Sequence, residues 1–484
     1  MSNAQRVIRN ILAVFGSEAV ARVAGLVLTL YVARALGPAP LGQLAFLLSF
    51  MMLASVVADL GVSRLTTRDL ARDRAAMPTF APAAFRLKLA LVLAVVLLLA
   101  LASPFLGKGP ELRGYFLVIL GYLFFDGLGA TLRALFIARE ELELVGLLRA
   151  VEKLLLLLLL GAVVVLPLAG RRFLGVVMLF PLSAGGAFLL ALLLARRRGL
   201  RLLSRPAGAP RWREILARSW PFAGSIIMAN VTLHSDRVLL SYLQDDTATG
   251  LYDAANRIFV TLYALQALMA DVFFPTFSRL WATDRERYRR FAGRAARLLY
   301  GLAVPLAAGA FALAGEGIRL IYGSAFEGSV TSLRILAPVL ILRAGDTLWG
   351  SLLLAADHEH RFLMALAAGA GINVLLNLLF IPRWSLNGAA VATLVSELAV
   401  MLLLAGGSRA LTSLPWFGAA LRALVAAGAM LLALRWLPTR HLALSLPVGL
   451  VAYALAFRIV GGWSREDLKL LRRAPAPGPT GGED

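Results

Sequence analysis

The sequence predicts an all-α polytopic membrane protein with about fourteen transmembrane helices. Of its 484 residues, 60% are apolar and 16% are charged, and the mean hydropathy is +0.78. A soluble protein is about half apolar and a quarter charged. Apolar runs of about 20 residues, the length that crosses a hydrocarbon core of about 30 Å, follow one another along the chain. The composition therefore excludes a soluble globular enzyme and a disordered protein.

The apolar runs define the predicted helices in chain order. The first segment follows Arg6 and Arg9, as in a signal peptide, but it contains Glu18 and Arg22 and has no convincing cleavage site. We therefore expect it to be a spanning helix that is not removed. The fourteen predicted segments are 9–33, 43–63, 84–106, 113–138, 145–167, 173–195, 215–243, 249–275, 295–314, 331–355, 362–381, 386–406, 417–436 and 442–460.

The basic residues indicate the orientation. The net charge is +21, from 49 Lys and Arg against 28 Asp and Glu. Most of the basic residues fall in alternate connections, richest in 64–74, 196–218 and 279–297. Because cytoplasmic loops carry the excess of Lys and Arg, both termini are predicted to be cytoplasmic. A topogenic role accounts for the charge, so no nucleic-acid partner is expected.

The longest connection, 198–214, is predicted to be a cytoplasmic linker between two lobes. The lobes are residues 1–197 and 215–408, followed by two further helices in 409–462 and a disordered cytoplasmic tail in 463–484. A weak internal repeat supports this division. Leu41-Gly42-Gln43 opens the second segment as Thr249-Gly250-Leu251 opens the eighth, as expected for related halves of a transporter.

Charged side chains inside the apolar segments indicate where the function lies, because a charge at the bilayer centre costs at least about 2.5 kcal/mol. Glu18 and Arg22 are four residues apart, so they share a helical face. An intrahelical ion pair and a cavity-lining role are both open. Arginine suits an anionic ligand because its guanidinium stays charged and binds phosphate oxygens through two hydrogen bonds.

The candidate site residues fall into three groups by chemistry. Buried carboxylates have raised proton affinity, which favours ion coupling, although a structural pairing with a nearby arginine is an equally good interpretation of each. The candidates are the anion-binding arginines Arg22, Arg237, Arg257 and Arg343, the ion-coupling carboxylates Glu18, Asp126, Asp236, Asp253, Asp346 and Glu397, and the cavity-lining polar residues Asn230, His234, Asn373 and Asn377.

The sequence predicts neither catalytic residues nor a cofactor. With no cysteine there is no disulfide or thiolate metal site. His358-Glu359-His360 provides two histidines without a third ligand, so no metal site is expected. The phosphate-binding motif of ATPases is absent. A transporter, rather than an enzyme, is predicted, and its energy must come from a proton or sodium gradient or from the membrane potential.

Several short stretches share their order and spacing with one transporter family. In them the sequence resembles bacterial polysaccharide flippases of the Wzx type, in the multidrug/oligosaccharidyl-lipid/polysaccharide (MOP) exporter superfamily. The stretches are Tyr31-Val32-Ala33-Arg34-Ala35-Leu36-Gly37 with Leu41-Gly42, Asp59-Leu60-Gly61, Asp236-Arg237 to Leu240, Thr249-Gly250-Leu251-Tyr252, Leu320-Ile321-Tyr322-Gly323 with Phe326, Asn373-Val374-Leu375-Leu376-Asn377, Ile381-Pro382 and Asn387-Gly388-Ala389-Ala390.

The resemblance implies two six-helix lobes around a central cavity plus two C-terminal helices. It implies a cargo of oligosaccharide on a polyprenyl (undecaprenyl) pyrophosphate, moved from the cytoplasmic to the outer leaflet of the bacterial inner membrane for cell-surface polysaccharide synthesis. Arg22 and Arg257 fall on the first and eighth helices, which carry cavity arginines in related lipid II flippases. We therefore expect them, with Arg237 or Arg343, to bind the pyrophosphate while the lobes alternate access. Expected partners are this glycan lipid, the bilayer, a coupling H⁺ or Na⁺, and glycan-assembly membrane proteins.

Three other functions stay open. A lipid II flippase and a cation-coupled drug exporter belong to the same superfamily, but fourteen helices and abundant arginine favour an anionic cargo over a drug. A membrane glycosyltransferase or polymerase usually needs a large extracytoplasmic loop. The longest outside connection here is 315–330, so a transporter is favoured.

Overall fold

The computed structural model describes residues 3–167, 170–409, 411, 416–437 and 441–462. Every regular element in these ranges is helical. The tail predicted to be disordered, 463–484, lies outside the described residues.

Sixteen α-helices are assigned in these ranges. A short π-helical stretch, Val32–Leu36, continues the first of them. The helices are α1 (Asn3–Tyr31), α2 (Pro38–Asp59), α3 (Val62–Arg72), α4 (Met77–Ala102), α5 (Pro110–Ala138), α6 (Leu142–Val165), α7 (Arg172–Arg197), α8 (Trp212–Leu243), α9 (Asp246–Thr283), α10 (Arg285–Ala312), α11 (Ala314–Tyr322), α12 (Ser329–Leu336), α13 (Val339–Ala355), α14 (Glu359–Ser408), α15 (Trp416–Trp436) and α16 (Leu442–Ile459).

Eleven helical stretches in the described residues are long and apolar enough to cross a membrane. The predicted fifth and seventh segments form α6 and α8, whose charged residues keep them out of that set. The prediction of an all-helical multi-pass membrane protein is therefore confirmed, whereas the count of about fourteen spans stays a prediction.

The 50-residue helix α14 contains the two predicted segments 362–381 and 386–406. Its backbone leaves the helical region at Ser385, with φ 50° and ψ −132°, three residues after Pro382. A Cβ on Gly388 would lie 2.3 Å from the Phe380 carbonyl oxygen, so the absence of a side chain at this glycine allows the chain to turn back closely. A Cβ on Gly369 would lie 2.1 Å from the Val400 side chain, so residues on opposite sides of the break are in contact. The two arms therefore fold against each other, in agreement with two separate predicted segments.

The helices cluster into two compact units, unit 1 (Met1–Gly250) and unit 2 (Leu251–Asp484). In unit 1, α1 packs on α6, α5 on α7, and α8 on α2 and α3. The contacts thus group α8 with unit 1. The predicted lobes 1–197 and 215–408 place α8 in the second lobe, and that division stays a prediction.

Unit 1 contains a close backbone approach at the start of α2. A Cβ on Gly42 would lie 1.7 Å from the carbonyl oxygen of Asp246, and a Cβ on Gly250 would lie 1.9 Å from that of Pro38. Only glycine fits either position, because any side chain would overlap a backbone atom. The two glycines of the weak internal repeat therefore pack against each other.

Unit 2 is built around α10. This helix packs on α13 and α15, and α13 packs on α14. Two buried tyrosines join these elements: the Tyr288 hydroxyl donates to the Leu352 carbonyl at 3.0 Å and the Tyr453 hydroxyl to the Gly301 carbonyl at 3.0 Å. The last two helices therefore belong to the core of unit 2.

Candidate functional site

Glu18 and Arg22 form an ion pair on α1. The Arg22 Nε lies 3.2 Å from Glu18 Oε1. The arginine side chain is 58% exposed and the glutamate side chain is 49% exposed. Ala24 and Leu28, on the other side of the helix, are buried, in keeping with the packing of α1 on α6. The pair is intrahelical, yet the guanidinium remains uncovered by the rest of unit 1.

A second pair on α9 has the same arrangement. The Arg257 Nε lies 2.5 Å from Asp253 Oδ2; the aspartate is buried, while the arginine side chain is 33% exposed. Thr261 continues this face and donates to the Arg257 carbonyl at 2.7 Å. In both pairs a carboxylate one turn earlier contacts Nε. The Nη1/Nη2 edge, which can bind two phosphate oxygens, lies outside that contact.

Arg343 on α13 has a different environment. It donates from Nη2 to Glu397 Oε1 on the second arm of α14, and its guanidinium carbon lies 4.9 Å above the ring centre of Tyr263. The carboxyl group of Asp346, on the same helix, lies beside that of Glu397. Arginine and glutamate are 18% and 6% exposed. We call these three side chains the unit 2 charge cluster; it holds two carboxyl groups and one guanidinium in a mostly buried place.

Asp126 in unit 1 is paired with an arginine on its own helix. The Arg133 Nη2 lies 2.7 Å from Asp126 Oδ1. The two residues are seven apart, or about two helical turns, so they share a face of α5. This geometry agrees with the interpretation of Asp126 as the structural partner of a nearby arginine.

A buried lysine was missed by the sequence analysis. Lys88 on α4 is 1% exposed and its ammonium contacts Asp59 Oδ1, which also accepts a hydrogen bond from the Ser63 hydroxyl at 2.5 Å. Lys88 lies inside the predicted segment 84–106, so a complete inventory of charges in apolar segments would have included it. A buried ammonium is stable only with such a partner.

Two of the candidate polar residues on α8 donate hydrogen bonds within the helix. The Asn230 amide donates to the Ile226 carbonyl and Arg237 Nη1 to the Leu233 carbonyl, both at 2.9 Å. Asp236 is buried, and His234 lies on the same helix at intermediate exposure.

Lys108 meets the end of α8 in an unpredicted cluster. Its ammonium lies 2.8 Å from the Ser241 hydroxyl, and that hydroxyl donates to Asp246 Oδ1 at 2.8 Å. The same ammonium lies 5.3 Å from the ring centre of Phe46 and 5.1 Å from that of Tyr242. Lys108 is 133 residues before Ser241 and in a loop, so no helical spacing indicated this contact.

Asn373 and Asn377 lie between the arms of α14. The Asn377 amide donates to Asn373 Oδ1 at 3.0 Å, and the Asn373 amide donates to the Ser396 hydroxyl at 3.2 Å. Both asparagines are buried. The Asn373–Ser396 hydrogen bond joins the two arms, and the predicted role of both asparagines in lining a cavity stays a prediction. Across the described part of the chain, no group of three or more His, Cys, Asp or Glu side chains could hold a metal ion.

Two family models match most of this helical chain. The model described as polysaccharide biosynthesis protein matches residues 7–281, and the model described as lipid II flippase MurJ matches residues 154–454. The chain belongs to the MOP-superfamily flippases. This flippase is 29% identical over 226 residues to the probable flippase AglR of Haloferax volcanii. The match covers 46% of this chain and 47% of that relative, so the flippase spans about half the length of the relative.

Solved structures share the fold. The lipid II flippase MurJ in an inward closed conformation has a TM-score of 0.77 at 14% identity, with 96% of this chain and 100% of that chain covered. An inward-facing multidrug resistance MATE family transporter has a TM-score of 0.65 at 14% identity, covering 81% and 95%. A MOP transporter from Pyrococcus furiosus has a TM-score of 0.58 at 17% identity, covering 84% and 96%. The family models confirm the predicted superfamily, and these matches confirm the all-helical membrane fold.

Proposed function

We propose that this flippase moves an oligosaccharide linked to polyprenyl pyrophosphate from the cytoplasmic to the outer leaflet of a bacterial inner membrane. Membership of the polysaccharide biosynthesis family supports this cargo. The observation that carries the proposal is the shared arrangement of Arg22 and Arg257, each held at Nε by a carboxylate one turn earlier and each partly exposed.

This arrangement suits a pyrophosphate group. The carboxylate fixes the direction of the guanidinium, so less side-chain freedom is lost when an anion binds. The Nη1/Nη2 edge then binds two phosphate oxygens with charge-assisted hydrogen bonds. Arg237, at intermediate exposure on α8, is the third candidate. Arg343 is occupied by Glu397 and is more enclosed, so we assign it to ion coupling instead.

We propose the unit 2 charge cluster as the ion-coupling site. Glu18, Asp126 and Asp253 each form an ion pair with an arginine on their own helix. The cluster has two carboxyl groups for one guanidinium, and two close carboxylates in a buried place favour binding of a proton or a cation between them. H⁺ and Na⁺ are both candidates, and Asp236 on α8 stays a further predicted carboxylate.

A lipid II flippase is the second candidate, because the MurJ family model matches residues 154–454. Its cargo would present the same pyrophosphate to the same arginines, with a different sugar. A drug exporter is less favoured, since a cationic drug would be repelled by exposed arginines. Cytoplasmic termini and contacts between the basic loops and glycan-assembly proteins are part of this proposal.

Transport in reconstituted vesicles tests the proposal. Outer-leaflet cargo is measured with an impermeant sugar-binding probe for polyprenyl-pyrophosphate oligosaccharide and, separately, for lipid II. We expect Arg22→Ala and Arg257→Ala to abolish transport of one of these cargoes without loss of folded protein. Arg289→Ala, at an exposed position of α10, is the matched control and should transport normally. Normal transport by both Arg22→Ala and Arg257→Ala would overturn the assignment.

A further inference from the structure

Unit 1 contains a basic pocket of about 890 Å³ formed by three chain connections. The connections are the turn before α4, the turn between α5 and α6, and the stretch that follows α7. All three belong to loops that the distribution of Lys and Arg places on one side of the membrane. The pocket is separate from Arg22, Arg257 and the unit 2 charge cluster. Its charged lining consists of Arg74, Arg139, Arg198, Arg201, Arg205 and the single carboxylate Glu141.

Two matching helix ends shape the pocket. At the end of α5, the Glu141 N–H donates to the Phe136 carbonyl at 2.9 Å, with Glu140 in the left-handed region at φ 62°. At the end of α7, the Leu200 N–H donates to the Ala195 carbonyl at 3.0 Å, with Gly199 at φ 76°. Such caps turn the chain sharply away from the helix axis. Because α5 and α7 pack together, their turned ends bring basic residues to one place.

The pocket has an excess of positive charge. Glu141 Oε1 lies 3.2 Å from Arg198 Nη1 and 3.8 Å from Arg139 Nε, and Glu140 Oε1 lies 2.8 Å from Arg74 Nη2. Five arginines therefore line the pocket with one carboxylate, Glu141, while Glu140 pairs with Arg74 from outside the lining. Orientation in the membrane requires basic residues in these loops, but it does not require them to converge around a cavity. The convergence indicates a bound anion.

The rest of the lining is apolar. Met77, Pro78, Pro82 and Leu202 border the same space. A volume of this size lies in the range of small-molecule sites, and a mixture of arginines and apolar side chains suits a ligand with a phosphate group and an apolar part. Basic pockets at the cytoplasmic ends of membrane helices bind the headgroups of anionic phospholipids in the same way.

We propose that this pocket is a second anion site, which binds phosphate groups through Arg201 and Arg205. The phosphate comes either from the headgroup of an anionic phospholipid or from a soluble pyrophosphate compound. Arg74, Arg139 and Arg198 contact carboxylates, whereas Arg201 and Arg205 are exposed in the connection itself. This site does not depend on the proposed cargo or on the arginines inside the membrane.

Binding measurements on the full chain in detergent test the site. Inorganic pyrophosphate is titrated calorimetrically at low ionic strength, and cardiolipin binding is counted by native mass spectrometry against phosphatidylcholine. We expect at least one probe to bind the wild type. In Arg201→Gln/Arg205→Gln its affinity should fall about thirtyfold, since each basic residue near an anionic surface contributes roughly a factor of five. Arg213→Gln/Arg289→Gln, which removes two exposed arginines outside the pocket, is the matched control and should bind normally.

The two probes distinguish the source of the phosphate. Selective binding of cardiolipin without pyrophosphate assigns the site to lipid headgroups, and binding of pyrophosphate alone assigns it to soluble phosphate compounds. Absence of binding by both probes, or an equal loss in the two double variants, would overturn the proposal. Size-exclusion profiles check that the variants are folded. Pyrophosphate can also bind the proposed cargo arginines, so only the binding that Arg201→Gln/Arg205→Gln removes is assigned to the pocket. Binding that this variant retains at the wild-type level counts against the pocket and leaves the transport proposal untouched.

Discussion

Arg343 on α13 donates a hydrogen bond to Glu397 on the second arm of α14, and Asp346 places a second carboxyl group beside the same glutamate. The contact joins residues 54 apart in the sequence and is mostly buried. It links the stability of unit 2 to the charge state of the proposed coupling site.

We expect Glu397→Ala to lower the free energy of unfolding by about 3–5 kcal/mol, because a buried arginine loses its main partner. Arg343→Met/Glu397→Met should cost much less than the sum of the two single changes, since neither charge remains unpaired. Thermal unfolding in detergent measures the double-mutant cycle. Additive effects of the single changes would contradict the buried pairing.

Asp346→Asn should remove the dependence of transport on an imposed ion gradient. Asparagine keeps the size and a hydrogen-bonding group but cannot bind a proton or carry the charge that holds a cation. We expect flipping without a gradient to persist. The measurement is cargo flipping with and without a proton or sodium gradient.

The matched comparison for that prediction is Asp126→Asn, in which the carboxylate is paired with Arg133 at 2.7 Å. It should retain gradient dependence. The opposite pattern, with coupling lost in Asp126→Asn and kept in Asp346→Asn, would move the coupling site to unit 1.

Gly42→Ala should strongly impair folding. Its Cβ would lie 1.7 Å from the Asp246 carbonyl oxygen, and overpacking against backbone costs about 1–3 kcal/mol or more because the backbone must move. Gly25→Ala on α1 is the control, because a Cβ there meets no atom within 4 Å. Expression yield and thermal unfolding of the two variants should differ clearly; equal behaviour would show that the approach of the two segments is loose.

The stability that the Asp284 cap gives to the start of α10 is expected to fall at acidic pH. Asp284 accepts hydrogen bonds from the backbone N–H groups of Arg287 and Glu286 at 2.9 and 3.0 Å, and these bonds lower the pKa of its carboxyl group. A lowered pKa gives stability that is present above the unfolded pKa of about 3.9 and is lost as the pH falls through the folded value.

The Tm difference between wild type and Asp284→Ala should therefore be constant at neutral pH and shrink below a pH of about 4. Asp284→Asn, which retains a capping oxygen without a titrating proton, should unfold near the wild-type temperature at neutral pH and lack this acid dependence. A difference that persists unchanged at acidic pH would contradict the role of the charged cap.

Helical spacing left an intrahelical pair of Glu18 and Arg22 open, and it accounts for the local pairs that form. Glu18 with Arg22 and Asp253 with Arg257 are four residues apart, and both pairs form. Arg133 lies seven residues after Asp126, about two helical turns, so helical spacing also places these two side chains on one face. Lys88 with Asp59 and Lys108 with Ser241 are separated by 29 and 133 residues. Their partners depend on which helices pack together.

The sequence by itself determined the membrane class and the order of the helices. A hydrocarbon core leaves backbone groups no water to bond, so every long apolar run must become a helix. Only the tertiary structure decided which charges meet. In the tertiary structure Asp346 lies beside Glu397, and the backbone at Gly42 packs against that at Gly250. Five arginines from three connections line one pocket. These contacts depend on helix packing and chain turns between residues far apart in sequence, which hydrophobic periodicity does not specify.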